Sequence, residues 1–184
     1  KEENVSYGLV GYPVLMTADI ILYKADTVPV GEDQLPHIEL AREIVRRFNN
    51  LYGETFPEPQ SKLTEYPLIK GLDGKQKMSK SLDNHIELAI SPEETHNRVR
   101  RAFTDPQRVK KEDPGNPLIC NVYSLHKYFN PDKLKDIYFK CTSATLGCVE
   151  DKVILSSGIN TMLEEFREKR KELANSPNYV SEVL

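Results

Sequence analysis

Lys75, Lys77 and Lys80 place three ammonium groups within six residues, and Ser79 and Ser81 set two hydroxyls among them. Gly71 and Gly74 make the lead-in to this stretch flexible. Compact cations interleaved with short hydroxyl donors suit a mobile clamp on a polyphosphate, where charge develops on a leaving group. The same composition also suits a plain solvated loop. The elements around it have to decide between the two.

A second candidate lies earlier. Met16 and Asp19 stand three residues apart, at the apolar segment Ala18–Tyr23 that reads as a buried helix or helix end; on a helix both point into one pocket. Taken alone, Asp19 equally suits an N-cap or a surface acid, and Met16 ordinary core filling. The β-branched segment Asp26–Gly31 reads as a short strand ended by glycine. From Leu35 to Asn50, Ile38, Ala41, Val45 and Phe48 recur at helical spacing, with Pro36 at the start and Arg46–Arg47 near the end. The strand therefore enters a helix through Gly31, Glu32, Asp33 and Gln34, and in α/β folds such a loop is where ligands bind. Glu32 and Asp33 also suit simple helix-start acids, and His37 a polar position on the helix.

The elements that position these residues fall into two contrasting halves. Residues 1–90 carry ten Lys/Arg against fourteen Asp/Glu, and residues 91–184 fifteen against fourteen. Short apolar runs alternate with turns in the first half, whereas charged segments of helical period dominate the second. Ser91-Pro92-Glu93-Glu94 is a helix start: a capping hydroxyl, proline at the first position, then acids at the positive end of the dipole. Further helices are expected over 119–129, 131–141, 148–157 and 159–174, with breaks at Asn130-Pro131 and Ser176-Pro177. The expected fold class is thus α/β followed by an all-α helical domain, joined near Glu87 to Pro92.

Composition narrows the function classes. The chain has 184 residues, 39% hydrophobic and 29% charged, with a formal net charge of −3. No run approaches the roughly 18 consecutive apolar residues of a membrane span, and Lys1-Glu2-Glu3-Asn4 lacks the basic-then-apolar pattern of a secretory signal. Three cysteines make an odd count, which argues against a disulfide framework and for a reducing compartment. The charge balance excludes a uniformly basic nucleic-acid coat but leaves room for a local basic site. Arg98, Arg100, Arg101, Arg108, Lys110 and Lys111 form such a stretch, offset by Asp105. It suits nucleic-acid phosphate, a solvated helix face or a dimer contact.

Two strings carry a family resemblance. Lys77-Met78-Ser79-Lys80-Ser81 matches the KMSKS signature of class I aminoacyl-tRNA synthetases letter for letter. The block Tyr12 to Tyr23, then Val28-Pro29-Val30-Gly31-Glu32-Asp33-Gln34 and His37-Ile38-Glu39-Leu40, closely resembles the tryptophanyl-tRNA synthetase family. The tyrosyl relatives usually have glutamine where Met16 stands and a different loop in place of Val28–Gln34. The resemblance implies that residues 1–90 are the C-terminal part of a Rossmann-like catalytic domain with the KMSKS loop. It makes 91–184 the helical, anticodon-binding domain, incomplete at its C-terminus.

The resemblance further implies a two-step ligase. The tryptophan carboxylate attacks the α-phosphate of ATP, giving tryptophanyl-adenylate and pyrophosphate, and the terminal ribose of tRNA(Trp) then takes the tryptophanyl group. Lys77 and Lys80 would stabilise the leaving pyrophosphate with Mg²⁺. Gly31, Lys77, Met78, Ser79, Lys80 and Ser81 would hold ATP. Asp19 would accept a hydrogen bond from the indole N–H, with Met16, Val28 and Val30 forming an apolar wall and Gln34 contacting the amino acid or ribose. A homodimer and a cytoplasmic location come with the family.

Three features temper that picture. The HIGH-type motif and the glycine-rich ATP loop of the family do not occur in the sequence, and the chain begins at Lys1 rather than Met. The chain is therefore read as a piece of a longer protein that does not form the adenylate alone. Cys120, Cys141 and Cys148, with Asp151 where some family members have a fourth cysteine, resemble an iron–sulfur ligand set with one carboxylate and a shorter first gap. The preferred reading is a set of ordinary thiols, with the cluster as the alternative. Besides the tyrosyl reading, a non-catalytic module that docks RNA or a partner is the remaining alternative; an intact KMSKS loop speaks against it.

Overall fold

The computed structural model describes residues 6–64 and 68–184. The N-terminal stretch that was read for a secretory signal therefore lies outside the described residues. The chain divides into two compact units, Lys1–Leu68 and Ile69–Leu184.

The first unit holds helix α1 (Tyr7–Leu22), strand β1 (Thr27–Val30), helix α2 (Leu35–Tyr52) and strand β2 (Gln60–Leu63). β1 and β2 pair in parallel, Thr27 opposite Gln60 and Val30 opposite Leu63. Two parallel strands cannot be joined by a hairpin, so α2 serves as the crossover. Its N-terminus has Pro36 in the first turn, and Gly53, at φ 86°, ends it in a backbone region open to glycine. Asn49 then fastens the return: its Oδ1 accepts from the Thr55 and Phe56 N–H groups at 3.0 and 3.1 Å, and its Nδ2 donates to the Phe56 carbonyl at 2.8 Å. Arg46 grips Glu58 with two nitrogens at 2.8 and 3.0 Å, and this pairing holds the Glu58 carboxyl below its usual range. Ile20, Ile38 and Ala41 form the buried centre. α1 is longer than the Ala18–Tyr23 segment that the sequence marks. It carries Pro13 inside, and the buried Thr17 hydroxyl donates to the Pro13 carbonyl at 2.9 Å.

The second unit is helical, with α3 (Pro92–Arg100), α4 (Asn121–Phe129), α5 (Leu134–Thr142), α6 (Cys148–Ala174) and α7 (Pro177–Val183). Ser91 caps α3 by accepting from the Glu94 N–H at 3.1 Å, as its sequence signature requires. Where two helices were expected to meet at Gly158, α6 runs unbroken for 27 residues. The glycine is there for packing: a Cβ at 158 would lie 2.4 Å from the Asn130 side chain, so α4's end and α6 approach at that point. Behind it, the His126 Nε2–H donates to Asp151 at 3.1 Å, and its Nδ1 accepts from Asn130 at 3.0 Å, which satisfies a fully buried imidazole on both sides. Leu72, Val99, Ala102, Val122, Leu125, Leu155 and Ile159 make the core.

The two compact units divide at 68/69, whereas the change in composition lies near residue 90. The reason is hydrogen bonding by the lysine-loop segment. The Phe103 N–H donates to the Leu72 carbonyl at 2.7 Å, and Asn121 Nδ2 donates to the Gly71 carbonyl at 2.8 Å. Leu72 is itself part of the helical core. Charge composition changes at 90, but the backbone bonds commit residues 69–90 to the helices that follow.

No described helix is long and apolar enough to cross a membrane. The core makes a direct prediction. Leu155 is fully buried, and Leu155→Ala should cost about 2–5 kcal/mol in urea denaturation. Val149→Ala on the same helix, at a position 75% exposed, should stay within about 0.5 kcal/mol.

Candidate functional site

The lysine loop is built on a lead-in that folds back on itself. The Met78 N–H donates to the Ile69 carbonyl at 2.9 Å, and Lys70 and Lys77 form an antiparallel bridge. The Gly71 N–H donates to Gln76 at 2.9 Å, while Gly74, at φ 69°, closes the turn in a region that favours glycine. Asp73 Oδ1 accepts the Lys75 N–H at 3.1 Å, and that bond leads the effects holding the Asp73 carboxyl below its usual range. The Met78 side chain packs against the helical core. Lys75, Lys77 and Lys80 remain exposed, and Ser79 Oγ and Ser81 Oγ are hydrogen-bonded at 2.8 Å. Lys80 opens a single 3-10 turn that ends at Asp83, whose φ of 47° reverses the chain. Asp83 accepts from Arg98 Nη1 at 2.9 Å, which lowers its pKa.

Two residues at this loop escape a motif-based reading. Asn84, 4% exposed, bonds to Ser79, Lys77 and Asp73, and Gly71 lies so near that an added Cβ would be 2.1 Å from the Asn84 amide nitrogen. Asp73 is the other. Both look like generic turn residues in the sequence, and only the Gly71 spacing hints at a close approach.

In the first unit, Met16, Val28 and Val30 pack together on the Ile20, Ile38 and Ala41 cluster. Asp19 is exposed on α1, and Gln34, half-buried, closes the single 3-10 turn Glu32–Gln34 that leads into α2. Gly31 is extended at φ −76°. The structure therefore gathers the apolar trio and sets Gln34 at the helix entry, while Asp19 lies outside the buried cluster. Tyr12 and His37 were not singled out as site residues. The Tyr12 hydroxyl is hydrogen-bonded to His37 Nε2, which ties α1 to α2 one turn from Met16.

The cysteines share one neighbourhood. Burial, the largest effect, pushes both the Cys120 and Cys141 thiols up, and the charges of Cys120, Cys148 and Asp151 act on Cys141 in the same direction. The four residues do not fit an iron–sulfur ligand set. Among the described residues, no three His, Cys, Asp or Glu side chains are arranged to hold a metal. Asp151 is engaged by His126, and a cation, Arg108 Nη1, lies 3.9 Å from Cys148 Sγ. Arg108 also donates to the Leu146 and Lys111 carbonyls at 2.8 and 2.7 Å. It lines a cavity of about 680 Å³ together with Lys110, Lys111 and Cys148. The basic stretch is thereby thinned. Arg98 and Arg108 are spent on internal bonds, Asp105 is buried capping Gln107 and Asn116, and Arg100, Arg101, Lys110 and Lys111 remain on the surface.

The model for tRNA synthetases class I (W and Y) matches residues 1–164. The chain belongs to that family. Among its relatives, the tryptophan–tRNA ligase of Aquifex aeolicus is 52% identical over 184 residues, covering 99% of this chain and 46% of that protein. The enzyme of the same name from Thermotoga maritima is 46% identical, covering 96% and 54%. A crystal structure of the tryptophanyl-tRNA synthetase from Campylobacter jejuni, complexed with ADP and tryptophan, superposes with a TM-score of 0.78 at 35% identity. It covers 98% of this chain and 56% of that one. The chain thus spans about half the length of these relatives. The fold is that of a class I synthetase, rich in helix with one small sheet among the described residues.

The cysteine geometry yields a prediction. Cys120 is buried and its thiol is pushed up, so in the native class I chain it should react with iodoacetamide at neutral pH at least tenfold more slowly than in the unfolded chain. Cys148, half-buried beside Arg108, should be modified before it. Peptide mass spectrometry against time reads the order, and faster labelling of Cys120 would contradict it.

Proposed function

We propose that the protein carrying this chain is a tryptophan–tRNA ligase. In this reading it activates tryptophan with ATP and transfers it to tRNA(Trp). The observation that carries the reading is the lysine loop: three exposed ammonium groups on a backbone anchored by the Met78 side chain and by Asn84. Such an arrangement holds cations where charge appears, without reorganisation at the moment of reaction. The names of the relatives support tryptophan as the amino acid.

The first unit supplies the amino-acid side of the proposal. Met16, Val28 and Val30 offer an apolar wall for the indole, and Asp19 is the acceptor for its N–H. A site that pairs that N–H rejects analogues lacking it more strongly than an apolar slot alone. Gln34 and Gly31 meet the polar end of the amino acid and the adenylate at the entry to α2. The second unit supplies the phosphate side. Lys77 and Lys80 stabilise the departing pyrophosphate, Ser79 and Ser81 donate to its oxygens, and Met78 anchors the loop. The bond between the α-phosphorus and the bridging oxygen breaks as the tryptophan carboxylate adds, so no side chain need act as nucleophile. Mg²⁺ belongs to this reading as an ion carried on the ATP phosphates, which supply its oxygens. The loop offers it cations and hydroxyls rather than a carboxylate cage.

The finer architecture belongs to the same proposal. The parallel β1–α2–β2 unit is the end of a Rossmann-like catalytic domain, and α3 to α7 form the helical domain that meets tRNA, with Arg100, Arg101, Lys110 and Lys111 as its phosphate contacts. A homodimer and a cytoplasmic location complete it.

Lys80→Ala in the full protein should lower kcat for tryptophan-dependent ATP–pyrophosphate exchange by about 10²–10³-fold, with KM for tryptophan unchanged. Exchange supported by tyrosine as fast as by tryptophan would refute the substrate. A Lys80→Ala rate within threefold of the parent would refute the clamp.

A further inference from the structure

Asn84 holds the lysine loop from behind. It has one buried planar amide, and that amide meets three different residues. Its Oδ1 accepts the Ser79 N–H at 2.7 Å, and its Nδ2 donates to the Lys77 carbonyl and to Asp73 Oδ2, both at 3.2 Å. Its own carbonyl accepts the Leu72 N–H at 2.7 Å. Asp83, at φ 47° and held by Arg98, turns the chain so that Asn84 reaches back under the loop. Gly71 lets the lead-in close on the amide, since a Cβ there would overlap its nitrogen and carbon at 2.1 and 2.3 Å. The bonds stop at the backbone of Lys77 and Ser79. The ammonium groups of Lys75, Lys77 and Lys80 remain on the exposed side.

We propose that Asn84 is the positioning residue of the clamp: its side-chain amide fixes the backbone of Lys77–Ser79 in the shape that presents Lys77 and Lys80 to phosphate. The inference rests on the pyrophosphate-clamp reading of the loop. The chemistry is specific to asparagine, because the site asks for one acceptor and two donors on a single short planar group. Aspartate keeps the acceptor for Ser79 but has no donor for Lys77, and it sets a second carboxylate against Asp73. Alanine leaves the Ser79 N–H and the Lys77 carbonyl without their partner. A loop freed in this way misplaces its cations, and a misplacement near 1 Å is enough to cost about 10²-fold in rate.

Two readouts on the full protein carrying this sequence test the proposal, one of them independent of catalysis. In Asn84→Asp, trypsin should cleave after Lys75, Lys77 and Lys80 about tenfold faster than in the parent under native conditions. In the same variant, kcat for tryptophan-dependent exchange should fall about 10²-fold with KM for tryptophan within twofold. Asp73→Ala, which removes one of the three partners at a half-buried position, should give a smaller effect of the same kind. It serves in place of Asn84→Asp should the latter fail to fold. Cleavage and kcat both within twofold of the parent would overturn the role of Asn84. So would a fall in kcat without faster cleavage, because Asn84 would then act by some other route. If the parent shows no exchange, or Lys80→Ala matches it, the clamp reading fails and positioning for phosphate fails with it. The cleavage rate then still reports whether Asn84 holds the loop.

Discussion

The close approach of the Gly71 backbone to the Asn84 side chain sets the shape of everything between them. The fourteen residues that begin with Gly71 and end with the buried amide of Asn84 place their middle on the surface while their two ends are locked together. The lock then transmits outward. Leu72, next to Gly71, is committed to the helical core and bonds to Phe103, while Asp83, next to Asn84, is committed to Arg98 on α3. The segment that carries the lysines is therefore a surface feature of the helical unit, supported from the same core that Leu155 and Ile159 fill. The lysines gain a fixed backbone, and Lys75, Lys77 and Lys80 stand exposed on it.

The first unit follows a different constraint. Parallel pairing of β1 with β2 requires a crossover, and α2 provides it while burying Ile38, Ala41 and Val45. The price of the short sheet is a return loop with exposed backbone, and Asn49 and Glu58 settle it by side-chain bonds to the loop and to Arg46. That leaves the entry to α2, with Gln34 and Gly31, at the carboxyl end of β1, the place where α/β folds receive ligands.

Much of this was legible in the residues, for reasons that differ by element. The α3 cap at Ser91-Pro92 and the spacing of Ile38, Ala41 and Val45 are local signals, and local signals survive folding. The lysine loop stood out by residue type, because three lysines and two serines fall within Lys75–Ser81. Gly158 was misleading because a glycine in a helix has two meanings, and the one that applies depends on Asn130, 28 residues away. The division into compact units at 68/69 was illegible for the same kind of reason: charge composition says nothing about the bond from Phe103 to Leu72. Asn84 went unnoticed because asparagine beside aspartate reads as a turn. The cysteine set resembled a cluster by spacing alone, and spacing carries no information about Arg108 beside Cys148.

The central claim is that Lys77 and Lys80 meet the phosphates of ATP. Lysine acylation of the full protein, read by mass spectrometry with and without Mg·ATP, tests it most directly. The account predicts that both lysines are protected by the nucleotide while exposed Lys169 and Lys171 of α6 react as before. Equal labelling of Lys77 and Lys80 in the two conditions would contradict it.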